Sequence, residues 1–218
     1  MESEIPLAGE VVRTPLMAHR LTPEGADVPW SQLIERAAGG DAEAFEQIMI
    51  YSQRKVLVTT WRMLGNEEDA RDATQEVFLR VYKYLRGYKP EQDFFGWLYR
   101  IVVNVCRDVS RKRQARERQT TSLDAELEAG TLRLPAEGED LEEAALLAQR
   151  RALVARALAD LPEKERAVVV LRDIEGLPTE EVARILGSSE STVRVQASSA
   201  RTKIRNYCER LLRGRRRG

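Results

Sequence analysis

The amino-acid sequence predicts an all-α protein: two small helical domains joined by an acidic flexible linker. Three observations carry this. From Trp30 onward apolar residues recur at spacings of three and four, and no period-two run of useful length interrupts them. The rhythm lapses over residues 114–140, where Gly130, Pro135, Gly138 and a run of acids stand. Charge divides the 218 residues the same way. Lys+Arg and Asp+Glu both total 35, yet residues 41–116 hold 14 basic and 11 acidic side chains, residues 117–143 hold 2 and 9, and residues 144–218 hold 16 and 9. Two positive blocks around a negative one suit two nucleic-acid-facing modules on an acidic tether, which the zero net charge conceals.

Residues 1–28 contain Pro6, Pro15 and Pro23 without sustained periodicity and read as a flexible arm. Whether residues 1–40 regulate the protein or form an inert extension stays open. Ser31–Ala38 is a short helix stopped by Gly39 and Gly40. Asp41 then caps a helix that turns Ala44, Phe45, Ile48 and Met49 inward. This helix continues or re-forms through Val56, Leu57, Thr60, Trp61 and Leu64, and ends at Gly65-Asn66. Glu67–Arg86 is a strong helix with Ala70, Ala73, Val77, Val81 and Leu85 on its buried stripe; Gly87 and Pro90 break it.

The next helix, Phe94–Arg113, has two faces. Phe94, Trp97, Leu98, Ile101, Val105 and Val109 form an apolar stripe, while Arg100, Asn104, Arg107 and Arg111 recur at the same spacing on another side, extended by Lys112 and Arg113. An ordinary amphipathic helix with a solvated basic face has this pattern. So does a helix built for a polyanion, and the aromatics at its start suit stacking on unpaired bases.

Helical pattern resumes at Leu141–Leu161, stops at Pro162 and continues over Glu163–Ile174. After Gly176, Pro178 suits the first turn of a helix packed through Val182, Ala183, Ile185 and Leu186 and ended by Gly187. Ser188 and Ser189 cap the following helix, whose Val193, Ala197, Ala200 and Ile204 face inward. Small Ala183, Gly187 four residues later and Val193 six further on match helix-turn-helix spacing: close crossing, tight turn, locked second helix. A plain helical hairpin is the simpler alternative. In the first case Ser189, Ser191, Thr192, Arg194, Val195 and Gln196 approach bases or phosphates in the major groove, with Arg194 and Gln196 the better base readers by donor geometry. The terminal LLRGRRRG, with residues 213–218 as a basic tail, attracts phosphate or merely solubilises.

Other function classes find little support. Cys106 and Cys208 lack CxxC spacing, and Cys106 reads as a small buried hydrophobe. His19 is the single histidine and lies in the arm, so zinc sites and Ser/His or Cys/His catalysis have nothing to rest on. No catalytic set converges, and no metal or cofactor is expected. No apolar run approaches the ~18 residues of a membrane span, and the acidic start MESEIPLAGE lacks a signal-peptide core. The protein reads as cytoplasmic and non-enzymatic.

Three stretches, GNEEDARDATQEVFLRVYKYL, FFGWLYRIVVNVCRDVSRKR and LADLPEKERAVVVLRDIEGLPTEEVARILGSSESTVRVQASSAR, together resemble the sigma-70 family of RNA polymerase sigma factors, in the small extracytoplasmic-function group that keeps only regions 2 and 4. The resemblance implies a region 2 helical bundle over residues 29–113, a linker over 114–140 and a region 4 helix-turn-helix over 141–212. It implies that Asp69, Asp72, Gln75, Glu76 and Leu79 dock region 2 on the clamp helices of the polymerase beta-prime subunit. It places Phe94–Arg113 where the family melts and reads the −10 promoter element: Trp97 and Tyr99 at aromatic positions, Asn104 on a base, Arg100, Arg107, Arg111, Lys112 and Arg113 on phosphates, and Tyr88–Asp93 as the base-capturing loop. Trp97 also lies on the apolar stripe, which favours core packing. Ser189, Ser191, Thr192, Arg194, Val195, Gln196 and Arg201 match the −35 reading helix. Gln196 and Ser199 depart from the family's usual basic residues, and two lost phosphate contacts would flatten the salt dependence by roughly two units of slope. Pro178 replaces the usual Ser/Thr cap. The implied partners are core RNA polymerase, promoter DNA and an anti-sigma factor.

A two-domain transcriptional regulator, with an N-terminal helical sensing or dimerisation domain, fits the same composition. It differs in one property: it binds duplex DNA tightly without core polymerase.

Overall fold

The computed structural model describes residues 30–88, 93–119 and 152–215, and among these every regular element is helical. The first unit comprises α1 (Trp30–Ala38), α2 (Ala42–Leu64), α3 (Glu67–Leu85) and α4 (Phe94–Gln119). The second comprises α5 (152–159), α6 (Glu163–Val168, running directly into the π-helical turn Val169–Ile174), α7 (Thr179–Leu186) and α8 (Glu190–Arg215). The arm 1–28, the loop centre with Pro90, linker residues 120–140, the expected helix start at Leu141 and tail residues 216–218 lie outside the described residues.

Local chemistry sets the boundaries much as the sequence predicts. The Asp41 carboxylate accepts the Ala44 and Glu43 amides at 3.1 and 3.0 Å; the Ala44 bond, and then the Arg36 guanidinium at 2.8 Å, hold its pKa below the usual carboxylate value. From there α2 runs unbroken for 23 residues, so the second apolar segment continues the helix rather than re-forming it. Gly65 closes it at φ +72°, donating to the Trp61 carbonyl at 2.8 Å, and Asn66 caps α3 through the Asp69 amide. The expected α3 stripe, Ala70, Ala73, Val77, Val81 and Leu85, is buried throughout.

α4 departs from expectation in two ways. It is helical through Gln119, so the first six residues assigned to the linker belong to it. It is also buried on two sides. Phe94, Leu98, Ile101 and Val105 form one apolar row, and Tyr99, Val102, Val103 and Cys106 form a second, all at most 9 % exposed. The first unit and α7 both pack against this helix, and buried residues of the two helical units join in one hydrophobic cluster. Burial pushes the Cys106 thiol up to about 12, as befits a small hydrophobe. Fully buried Leu171 sits in the second unit's part of this core. Leu171→Ala is expected to destabilise the protein by about 2–5 kcal/mol in urea denaturation, because the cavity adds to the lost transfer free energy.

Candidate nucleic-acid interface

With two sides of α4 buried, little of its surface is left for polar groups. Arg100, Asn104, Arg111 and Lys112 are exposed, and Arg107 and Arg113 are half-buried. Arg100, Asn104, Arg107 and Arg111 align along one strip, as the helical spacing requires. Asp108 joins the edge of this strip, pairing with Arg80 at 3.1 Å and approaching Arg111 at 3.9 Å. Arg113 turns back on its own unit: its Nη1 reaches the Leu64 carbonyl at 3.5 Å and Asp69 at 3.4 Å. This couples a residue expected on DNA to one expected on polymerase. At the start of α4, Trp97 is half-buried against Tyr88 and Phe94, with ring centroids 5.4 and 5.7 Å apart, as its place on the apolar stripe anticipates.

On α3, Asp72 and Gln75 are exposed, Glu76 is held by Arg80 at 2.7 Å, and Leu79 stands 58 % exposed. An apolar side chain so placed, flanked by acidic and amide groups, stabilises nothing within the fold and suits a protein partner.

The helix-turn-helix is formed by α7 and α8. Gly187 adopts φ +65°, and the Ala183 carbonyl accepts the amides of both Gly187 and Ser188. Val182, Ala183, Ile185, Val193, Ala197 and Ala200 are buried, so the small-Gly-apolar spacing packs the motif as expected. Ser189 Oγ accepts the Thr192 amide at 3.2 Å and lies 2.8 Å from the hydroxyls of Ser191 and Thr192, making it the cap of α8. Ser191, Thr192, Arg194 and Val195 are exposed on the first turns, Val195 at 68 %, and Gln196 is half-exposed. Arg194 pairs with Glu190 one turn earlier.

Two positions of α8 are engaged within the fold. Arg201 binds Asp173 through two hydrogen bonds of 2.9 and 2.5 Å, tying α8 to the π turn, and its side chain stays 41 % exposed. Ser199 donates to Glu165 at 3.1 Å, a carboxylate that Lys203 also holds at 2.8 Å, so position 199 faces α6 and its lack of a basic group removes no outward contact.

Tyr99 is likewise engaged within the fold. Expected where unpaired bases stack, it is 5 % exposed and its hydroxyl donates to Glu175 at 2.8 Å. The partner explains the burial. Glu175 leaves the π turn with its amide on the Val170 carbonyl and its carboxylate pointed into the first unit. There Thr59 donates at 3.0 Å, Arg62 at 3.1 Å, and Lys55 lies 3.3 Å away. Burial and this carboxylate together push the Tyr99 phenol far up. Sequence reasoning missed Glu175 because an acid beside Gly176 looks like any exposed helix end. Its partners Thr59 and Tyr99 lie 116 and 76 positions away.

Further contacts join the units. Half-buried Arg166 donates to the Met63 carbonyl across the boundary at 2.9 Å and to the Ala159 and Leu161 carbonyls within its own unit. Arg107 reaches the Leu186 carbonyl at 3.5 Å. Gly96 faces Glu181 so closely that a Cβ would sit 2.2 Å from its Oε1. Asp93 accepts the Phe95 and Gly96 amides beside it. Glu181 Oε1 is buried without a donor, and burial, then Asp93, raise its pKa to about 7 against the opposing pull of Arg184. A carboxyl whose pKa is raised in the packed form stabilises packing most when protonated, and that contribution is lost as pH rises through about 7. Stability should therefore decline from about pH 5 to about pH 7.5 through this group. Glu181→Gln is expected to flatten the melting temperature over that interval and raise it at the upper end, as a pH series of thermal melts would show.

Residues 50–116 match the family model described as Sigma-70 region 2, and residues 151–204 that described as Sigma-70, region 4. The RNA polymerase sigma-H factor of Pseudomonas aeruginosa is 33% identical over 184 residues, covering 84% of this chain and 95% of that relative. The ECF RNA polymerase sigma-E factor of Escherichia coli is 32% identical over 185 residues, covering 83% and 95%. Among solved structures, CnrH in complex with the cytosolic domain of CnrY superposes with a TM-score of 0.58 at 28% identity, over 82% of this chain and 96% of that one. The sigma factor RpoE in complex with the anti-sigma factor NepR from Bartonella quintana shares the fold, with a TM-score of 0.61 at 18% identity over 77% and 98%.

Proposed function

The chain belongs to the sigma-70 family of RNA polymerase sigma factors, in the extracytoplasmic-function group, and we propose that its residues divide the work of promoter-specific transcription initiation as follows. The first unit docks on the clamp helices of the beta-prime subunit through the α3 face of Asp69, Asp72, Gln75, Glu76 and Leu79. The exposed strip of α4 takes the −10 element: Asn104 contacts a base, while Arg100, Arg107, Arg111 and Lys112 hold phosphates. Opening a duplex without ATP requires trapping unstacked bases, because unstacking costs a few kcal/mol per step and binding must offset it. Trp97, half-buried at the start of α4, and Tyr99, once uncovered, offer the aromatic surface. Region 4 presents Ser189, Ser191, Thr192, Arg194, Val195 and Gln196 to the −35 element, with Arg201 bracing α8 from behind.

One observation carries this division of labour: α4 is buried on two sides and keeps a single polar strip of Arg, Asn and Arg on the third. The catalytic chemistry belongs to the polymerase and none to this chain. Among the described residues no group of ligands could hold a metal ion, and no helix is long and apolar enough to cross a membrane. On this reading the protein works in the cytoplasm, and an anti-sigma factor holds the free form.

Purified core polymerase plus this chain is expected to transcribe from members of a promoter library that core alone ignores. Tight, specific duplex binding by the free chain, with no polymerase-dependent transcript, would instead establish a self-sufficient regulator.

A further inference from the structure

The polar strip of α4 borders the C-terminal half of α3, and two contacts set the register between them. Arg80 meets Asp108 at 3.1 Å, and the rings of Tyr88 and Trp97 lie 5.4 Å apart. The two pairs run in opposite sequence order, so the end of α3 lies antiparallel to the first turns of α4. Tyr84 stands four residues past Arg80 and four before Tyr88. Helical geometry therefore puts it on the edge of α3 beside α4, level with the turn that carries Arg100 and Asn104. Its ring is 52 % exposed, although Val77 and Val81 on the same helix are buried. Among the described residues no hydrogen bond and no second ring holds it; the Lys83 ammonium lies 5.5 Å from its centroid. Lys83 and Arg86 are exposed, and the acids of this edge, Glu76 and Asp108, are both taken by Arg80 at 2.7 and 3.1 Å.

We propose that Tyr84 is a stacking platform for an unpaired base of the DNA strand lying along α4, with Lys83 meeting the flanking phosphate. This inference rests on the promoter reading above and extends the −10 interface onto α3. An exposed ring bordered by cations matches a strand whose bases present π faces and whose backbone is anionic. It also supplies what α4 lacks. Trapping an unpaired base requires a ring face in solvent, whereas Trp97 is half-buried between Tyr88 and Phe94 and Tyr99 is buried. Asn104 then reads the edge of one base while Tyr84 holds the plane of another. Every base has a π face, so Tyr84 contributes to keeping the strand unpaired and not to the choice of sequence. A protein partner suits the opposite side of α3, where Leu79 and Tyr82 are exposed and Tyr82 meets Phe45 edge-on.

The test uses the full chain bound to core polymerase and a fluorescent single-stranded DNA 12-mer carrying a −10-like sequence. Tyr84→Ala is expected to weaken binding roughly 5- to 150-fold, the range for removing one aromatic side chain from under a base. Because the ring is exposed, no cavity opens, and the thermal melt should coincide with wild type. Tyr84→Phe keeps the ring and should restore binding; Tyr84→Leu keeps apolar bulk without the ring and should not. The salt slope should stay unchanged in Tyr84→Ala and fall by about 0.7 units in Lys83→Gln, because only the cation releases counterions. Unchanged affinity in Tyr84→Ala, or full binding by Tyr84→Leu, overturns the proposal.

A second measurement locates the base. An abasic site at one position of the 12-mer should abolish the difference between wild type and Tyr84→Ala, while abasic sites elsewhere leave it intact. A difference that survives at every abasic position contradicts stacking. Binding of core polymerase, followed by competition, should be equal in wild type and Tyr84→Ala; its loss would move Tyr84 to a protein interface and overturn the proposal. Discrimination against a scrambled 12-mer, and its dependence on Asn104, score the promoter reading separately. Normal discrimination with unaffected Tyr84 variants removes the platform alone, whereas a wild-type complex that ignores the 12-mer removes both.

Discussion

Leu79→Glu is expected to cut promoter-dependent transcription by about 100-fold, the effect of losing a central apolar anchor worth about 2–4 kcal/mol at a protein interface. The loss should appear as failure to bind core polymerase, measured directly by competition for core, and not as loss of fold. Leu79 is 58 % exposed on a helix whose own stripe, from Ala70 to Leu85, is buried without it. Removing it opens no cavity, so thermal melts should coincide with wild type. The new carboxylate would stand one turn from Gln75 and Glu76 and add repulsion wherever the partner surface is acidic. Binding to a single-stranded −10 oligonucleotide should be unchanged, because the α3 residue that reaches the polar strip of α4 is Arg80, through Asp108, and not Leu79. A variant that binds core normally, or loses DNA binding in parallel, would remove the docking role from this face.

Asn104→Ala should lower discrimination between correct and substituted −10 bases by roughly 5- to 150-fold, corresponding to about 1–3 kcal/mol for a side chain that reads a base edge. Asn104 is exposed amid the buried Val102, Val103, Val105 and Cys106. An amide at that point has no structural duty in the fold and offers both a donor and an acceptor. Its loss should therefore act on sequence preference and spare stability. Arg111→Ala on the same strip is the informative contrast: a phosphate contact weakens binding to all sequences alike and lowers the salt slope. Competition binding across single-base variants separates the two patterns. Uniform weakening by Asn104→Ala would make it a positioning group rather than a reader.

Much of this protein is legible in its sequence wherever neighbours along the chain decide the outcome. Asp41, Asn66, Gly65 and Gly187 terminate helices through contacts within a few residues, and each does so at the predicted place. The α3 stripe and the helix-turn-helix spacing are equally local, because periodicity alone determines which side of a helix is apolar. The exposed groups on α3 and α4 follow by subtraction from those stripes. Where the sequence misleads, the partner is remote. Arg201 matches the family's −35 reading helix and Ser199 stands where the family is usually basic, yet Asp173 and Glu165 from the preceding helical segment claim them. Tyr99 sits beside a basic residue at a family aromatic position, yet Glu175, 76 positions away, covers it.

For α4, where both kinds of information meet, the sequence by itself determined a helix with an apolar stripe and a strip of Arg100, Asn104, Arg107 and Arg111, because turn geometry follows from residue order. It also determined two helical units and the family to which they belong. Tertiary structure alone decided that the second row of α4, Tyr99 to Cys106, is a buried surface shared by both units. It also decided that a single acid from the second unit reaches across to two cations and two hydroxyls of the first. Burial of a row and pairing of a charge depend on what arrives opposite them. Spacing along the chain carries no record of a partner brought in by the fold.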